Sequence, residues 1–76
     1  MKAQLVEIIN QVRSNKGYSP LLSVTHEARL REDLNLDSLD LAELTVRIEE
    51  AFGVDVFADG IVRTIGEILE KLQRQQ

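Results

Sequence analysis

The sequence contains no cysteine and no tryptophan, only one histidine, and just 4% aromatic residues. Without cysteine, the chain cannot form a disulfide framework, a thiolate metal site or a cysteine nucleophile. The single histidine, His26, excludes any site that requires two imidazoles. No apolar run approaches the roughly 18 residues that a membrane span requires, and the N-terminus does not resemble a signal peptide. We therefore expect a cytoplasmic protein with an aliphatic core.

The length of 76 residues predicts one small domain over residues 1–76. Its 43% hydrophobic and 29% charged residues are typical of a soluble globular protein. A chain of this size buries only about 60% of its extended-chain surface, so the core must be small. We expect a monomer.

Charge is distributed unevenly along the chain, whose net charge is −4. Residues 1–31 carry five basic and two acidic groups, whereas residues 32–59 carry nine acids against Arg47 alone. The middle segment therefore has a net charge of −8, which would repel nucleic acid and anionic lipid and attract a basic partner. We expect no nucleic-acid binding.

Apolar residues at helical spacing predict an all-α fold, a small bundle of three main helices. The first helix should cover residues 2–14, and the second should begin with an Asp-Ser cap and cover residues 37–52. A capping box at residues 64–67 marks the start of the last helix, and residues 73–76 should fray. A weak, turn-like stretch at 58–62 is expected to add a short third helix before the last.

The connection between the first two helices is long for a compact domain. It contains six aliphatic residues, which predict that the connection is pinned to the core. These residues are Leu21, Leu22, Val24, Leu30, Leu34 and Leu36.

The predicted second helix has two apolar faces. One is the expected core stripe, formed by Leu41, Leu44, Ile48 and Phe52. The other combines small aliphatic residues with acids, namely Ser38, Leu39, Ala42 and Val46 with Glu43, Glu49 and Glu50. This outer face has two interpretations: a docking surface with an acidic rim, or ordinary exposed aliphatic residues on a solvated helix.

Neither an active site nor a metal site is predicted. His26 has no nucleophile at a recognisable spacing, and the carboxylates lie on a convex helix rather than in a pocket that could raise a pKa. Asp33, Asn35 and Asp37 alternate like calcium ligands, but Ser38 and Leu44 stand where an EF-hand loop needs glycine and glutamate. We therefore expect a protein that is not an enzyme and binds no metal.

The tripeptide Asp37-Ser38-Leu39 is by itself no more than a helix cap, and its context gives it weight. It is preceded by Leu30-x-x-Asp33-Leu34-x-Leu36 and followed by Glu43-Leu44, Ile48-Glu49 and Phe52-x-Val54. This pattern closely resembles the acyl carrier proteins, and the resemblance extends over almost the whole chain.

The resemblance implies that Ser38 carries 4′-phosphopantetheine, which a phosphopantetheinyl transferase attaches from coenzyme A with Mg²⁺. The terminal thiol of this arm would hold acyl intermediates of a fatty-acid or polyketide-type pathway as thioesters. Asp37 and Leu39 would belong to the cofactor site. Asp37 would either help to orient this site and position the metal or basic groups of the transferase, or only cap the helix. Asp40, Ala42, Glu43, Val46, Glu49 and Glu50 would face acyltransferases, ketosynthases or other acyl-handling enzymes with basic docking patches.

Two departures from the family pattern widen the choice of pathway. Residues 57–63, in the region of the third helix, contain one acid, Asp59, and Arg47 interrupts the acidic second helix. A carrier for a specialised pathway, polyketide-like or aminoacyl, therefore stays open beside a housekeeping fatty-acid carrier. A second hypothesis is an interaction module that binds a partner through Leu39 and Val46 and carries nothing.

Overall fold

A computed structural model describes residues 1–74 as three helices without strands. The helices are α1 (Lys2–Ser14), α2 (Ser38–Phe52) and α3 (Ile65–Arg74). Within these residues, no helix has the length and hydrophobicity to cross a bilayer. The all-α prediction is confirmed.

The boundaries of α1 and α2 follow the predicted ones closely. Gly53 ends α2 with φ of 72°, a left-handed conformation that glycine adopts without a steric penalty. Residues 56–59 form turns, so the short third helix expected at 58–62 is not formed among the described residues. The helix α3 continues through Arg74, so residues 73 and 74 are helical although the sequence predicts fraying over 73–76. Residues 75 and 76 lie outside the described residues.

The core is almost entirely aliphatic and draws on all three helices. Leu5, Ile9 and Val12 of α1 are fully buried, as are Leu44 and Ile48 of α2. Three apolar residues of α3 complete the centre, namely Ile65, Ile68 and Leu72. This packing fixes α2 at its inner face and leaves its N-terminus and outer face for other contacts.

The connection between α1 and α2 is pinned to the core, as predicted, except at one residue. Val24, Leu30, Leu34 and Leu36 are buried and Leu21 is half-buried. The prediction is wrong for Leu22, which is 100% exposed.

Backbone hydrogen bonds join this connection to the segment before α3. The Leu30 amide donates to the Arg63 carbonyl at 2.8 Å, and the Ile65 amide donates to the Ala28 carbonyl at 3.1 Å. An isolated antiparallel bridge links Arg29 to Thr64 at the same place. The two segments are therefore held side by side, although they are far apart in sequence.

Arg13 ties the connection to α1 from inside the protein. Its side chain is buried, and its Nη1 donates to the Leu34 carbonyl at 2.9 Å while Nη2 donates to the Ser19 carbonyl at 3.3 Å. The guanidinium also lies 5.1 Å from the centre of the Tyr18 ring, within the range of a cation–π contact. Arg13 thus fixes both ends of the connection that leads into α2.

Candidate functional site

Ser38 is the first residue of α2, and its side chain is exposed. Asp37 precedes it in an extended conformation and caps the helix. The Asp40 amide donates to Asp37 Oδ1 at 2.9 Å, and the Asp37 amide donates to Asp40 Oδ2 at 2.9 Å. This reciprocal capping box fixes the backbone on both sides of Ser38 and leaves its hydroxyl accessible.

Lys16 anchors the same helix end to the rest of the protein. Its Nζ donates to Asp40 Oδ2 at 2.8 Å and to the Asn35 carbonyl at 2.9 Å, and lies 3.7 Å from Asp37 Oδ2. The hydrogen bond from Lys16, followed by the one from the Asp37 backbone, lowers the pKa of Asp40 below its ordinary value. Asp40 is therefore an ionised group that positions Ser38.

The structure places Asp40 differently from the other residues of the predicted partner face. Asp40 is buried under Lys16, so its carboxylate is not available on the outer surface. Glu43 is only partly exposed because it accepts from Arg47 Nε at 2.8 Å and from Asn15 Nδ2 at 3.1 Å.

The remaining residues of that face share one stripe of α2, which we call the Leu39 face. It consists of Leu39, Ala42, Val46, Glu49 and Glu50, all of which are exposed. Leu39 is 81% and Val46 is 56% exposed, so two large aliphatic side chains of this stripe face solvent. The Leu39 face therefore has an apolar centre with two carboxylates at its C-terminal end.

Arg47 does not point its charge into the Leu39 face. Besides its bond to Glu43, its Nη1 donates to Gln11 Oε1 on α1 at 2.8 Å. Arg47 therefore joins α2 to α1 and neutralises Glu43, so the acidic character of the outer surface rests on Glu49 and Glu50.

A groove of about 580 Å³ opens beside Ser38. We call it the Ser38 groove. One wall is α2, with Ser38, Leu41, Ala42 and Thr45, and the other is the segment before α3, with Phe57, Ile61, Val62 and Arg63. Arg31 and Glu32 complete the lining.

The Ser38 groove was not predicted from the sequence. The sequence predicts Leu41 in the core stripe. Leu41 does pack partly against the core, but it also lines the groove. One sequence feature could have indicated this groove: Ile61 is a large aliphatic residue beside Gly60, in a stretch without helical periodicity. In the structure Ile61 is 78% exposed.

These features suit a covalent attachment at Ser38. The hydroxyl lies at the positive end of a helix dipole, which favours a phosphate, and it adjoins a groove with both apolar and cationic walls. An arm with a phosphate at one end and an aliphatic stretch after it matches this combination.

Known proteins resemble the chain over most of its length. Residues 3–72 match the family described as "Phosphopantetheine attachment site". The acyl carrier protein of Saccharopolyspora erythraea is 37% identical over 71 residues, which cover 91% of this chain and 75% of the relative. The acyl carrier protein of Chlamydia trachomatis serovar D is 43% identical, with 79% of each chain covered. That of Syntrophobacter fumaroxidans is 34% identical, with 100% of this chain and 91% of the relative covered.

Proposed function

This chain belongs to the phosphopantetheine-binding acyl carrier proteins, which are carriers rather than catalysts, and we propose that it carries acyl intermediates as thioesters on an arm attached to Ser38. The observation that supports Ser38 most strongly is its exposed hydroxyl at the capped start of α2, beside the Ser38 groove. We also propose that the carrier works in the cytoplasm.

The other three serines offer no comparable position. The Ser14 hydroxyl donates to the Gln11 carbonyl at the end of α1, at 2.9 Å. Ser19 and Ser23 lie in the connection between α1 and α2, and neither begins a helix. Ser38 alone among the four serines combines exposure, a helix start and an adjoining groove.

In the attachment reaction, Ser38 acts as the nucleophile within the active site of a phosphopantetheinyl transferase. Ser38 Oγ forms a bond to the phosphorus next to the pantetheine unit of coenzyme A. The phosphoanhydride bond breaks, 3′,5′-ADP leaves, and the hydroxyl proton passes to a base of the transferase. The capping box keeps the Ser38 backbone fixed during this step, because its two bonds do not involve the serine side chain.

The attached group supplies a terminal thiol, on which acyl groups are held as thioesters. This explains how a chain without cysteine can take part in thioester chemistry. The acyl groups belong to a fatty-acid or polyketide-type pathway in this proposal. The pairing of Arg47 with Glu43 leaves fewer free acids on α2, which is compatible with a specialised partner set.

Partner enzymes would dock on the Leu39 face. Its apolar centre, Leu39 and Val46, would be buried against the partner, while Glu49 and Glu50 would meet a basic patch at the rim. Exposed rim charges mainly increase association rates and give complexes that weaken with salt. Short-lived complexes suit a carrier that visits several enzymes in turn.

The test is loading of the purified protein with coenzyme A, Mg²⁺ and a broad-specificity transferase, followed by intact-mass spectrometry. We expect one added phosphopantetheine on the wild type and on the control Ser23→Ala, and none on Ser38→Ala. No addition to the wild type would contradict the proposal. Partner binding that survives Ser38→Ala and never needs the arm would instead favour a non-carrying interaction module that uses the exposed Leu39 and Val46.

A further inference from the structure

Two arginines on the wall of the Ser38 groove have no role in the function proposed above. Arg31 and Arg63 are exposed, and both line the groove together with Ser38. Within residues 1–74, neither guanidinium makes a hydrogen bond or ion pair to another side chain. The other arginines each contact a carbonyl or an acidic side chain, namely Arg13, Arg29, Arg47 and Arg74.

The backbone brings Arg31 and Arg63 to the same place. The hydrogen bond from the Leu30 amide to the Arg63 carbonyl, at 2.8 Å, joins the segments that carry them. The arginines are 32 positions apart in sequence, so their joint presence on one groove wall comes from tertiary structure. The Leu30–Arg63 contact fixes where the two side chains start.

The charges on this wall contrast with the region around it. Residues 32–59 have a net charge of −8, but Glu32 is the one acid among the residues that line the Ser38 groove. Its carboxylate lies 3.9 Å from Arg29 Nη1, so Arg29 partly neutralises it. The groove is therefore a locally positive site on an acidic surface, and it favours binding of an anionic group.

We propose that Arg31 and Arg63 bind the phosphodiester of the arm at Ser38 and hold the first segment of the arm in the Ser38 groove. This inference rests on the proposed attachment at Ser38. A phosphodiester linked to Ser38 Oγ lies at the mouth of the groove because of the covalent bond itself. It keeps one negative charge at neutral pH, and the planar fork of a guanidinium matches phosphate oxygens well.

The groove also suits the part of the arm that follows the phosphate. In phosphopantetheine this part is a branched, apolar segment that bears two methyl groups. The apolar residues of the groove beside Ser38, Leu41 and Ala42 on α2 and Ile61 opposite, offer a matching surface. The arm has an anion followed by methyl groups, and the groove offers arginines for the first and apolar residues for the second.

The test compares the loaded and unloaded protein by NMR. Wild type, the double variant Arg31→Gln/Arg63→Gln and the control Arg74→Gln are prepared unloaded and loaded, and intact mass verifies the arm in each loaded sample. Arg74 is a suitable control because it is an exposed arginine that does not line the groove. The first readout is the change in the amide chemical shifts of Thr45 and Ile61 between the unloaded and the loaded protein. The second is the ³¹P chemical shift of the diester.

In the wild type and in Arg74→Gln we expect clear amide shifts on loading. These shifts should fall by roughly half or more in high salt, since the Debye length falls from about 10 Å at 0.1 M to about 3 Å at 1 M ionic strength. In the double variant the shifts should already be reduced by a similar factor at low salt, and the ³¹P shift should differ from that of the wild type.

Three results would overturn the proposal. Amide shifts that persist in the double variant and ignore salt would mean that the arm lies in the groove through apolar contacts alone. No amide shift in the loaded wild type would mean that the arm does not enter the groove. A wild type that gains no arm would be seen in the mass spectrum before any NMR, and it would refute the attachment at Ser38 together with this inference.

Discussion

Replacement of Asp37 separates two roles that this residue can have, capping α2 and presenting a charge to the transferase. Asp37→Ala removes the acceptor for the Asp40 amide, a bond of 2.9 Å, but keeps the reverse bond, whose donor is the Asp37 backbone. The Asp37 side chain is 58% exposed, so water can partly replace the lost acceptor. Asp37→Asn also removes the charge but keeps a good capping acceptor.

We therefore expect Asp37→Ala to be less stable than Asp37→Asn by about 1 kcal/mol. For a domain of this size that difference corresponds to a Tm lower by about 4–8 °C. Thermal and denaturant unfolding followed by circular dichroism measure it, with both variants compared in the same buffer. Equal unfolding free energies for the two variants would refute the role of the Asp37 side chain as a cap.

Loading rates with the transferase, measured well below both melting temperatures, then test the charge. We expect both Asp37 variants to load more slowly than the wild type, and by a similar factor, because both lack the carboxylate. If Asp37→Asn loads at the wild-type rate, Asp37 acts only as a cap.

Three further predictions concern the fold around the site. Leu44→Ala should lower the free energy of unfolding by about 2–5 kcal/mol because Leu44 is fully buried, whereas Leu39→Ala should change it by less than about 0.5 kcal/mol, as denaturant titration can show. Arg13→Met should cost about 2–3 kcal/mol in the same assay, because it leaves two carbonyl groups in the connection without their donor; an unchanged value would show that the connection does not depend on this contact. The Lys16 hydrogen bond lowers the pKa of Asp40, so the stability that Asp40 contributes is present above the ordinary carboxyl pKa of 3.8 and is lost as the pH falls through the lower folded value. The stability difference between wild type and Lys16→Met should therefore shrink in acid, and a difference that is constant from neutral pH to about pH 2 would contradict this.

Local signals were sufficient for the helices. The start of α2 is encoded by Asp37, which caps it, and its end by Gly53, which adopts the left-handed conformation. The start of α3 follows in the same way, since Thr64 Oγ1 accepts from the Glu67 amide at 3.2 Å. The predicted capping box is formed only in part. The Glu67 side chain accepts from the Arg63 amide at 3.1 Å, whereas a capping box over residues 64–67 would have it accept from the amide of residue 64.

The connection shows where local signals stop. Its aliphatic residues were all expected to be buried, but neighbouring side chains of an extended segment point in opposite directions. The Asn10 side chain holds Leu21 by two hydrogen bonds, of 2.8 and 2.9 Å, so Leu21 faces the core and Leu22 faces solvent. Which of the two would face inward depends on Asn10, a residue 11 positions away.

Only part of the candidate site could be predicted from the sequence, for the same reason. Ser38 and its cap could be recognised because they are adjacent. The inward position of Asp40 depends on Lys16, which is 24 residues away, and the Ser38 groove depends on the contact between Leu30 and Arg63. Such pairings arise from tertiary packing and leave no periodicity in the sequence.

The mass of the protein isolated from its own host tests the central claim most directly. The account predicts a phosphopantetheine on the peptide that contains Ser38, with part of the population heavier by an acyl group that hydroxylamine removes. The mass of that acyl group would also reduce the number of pathways in which the carrier could act. Native protein with an unmodified Ser38, or an arm found on another serine, would contradict the account.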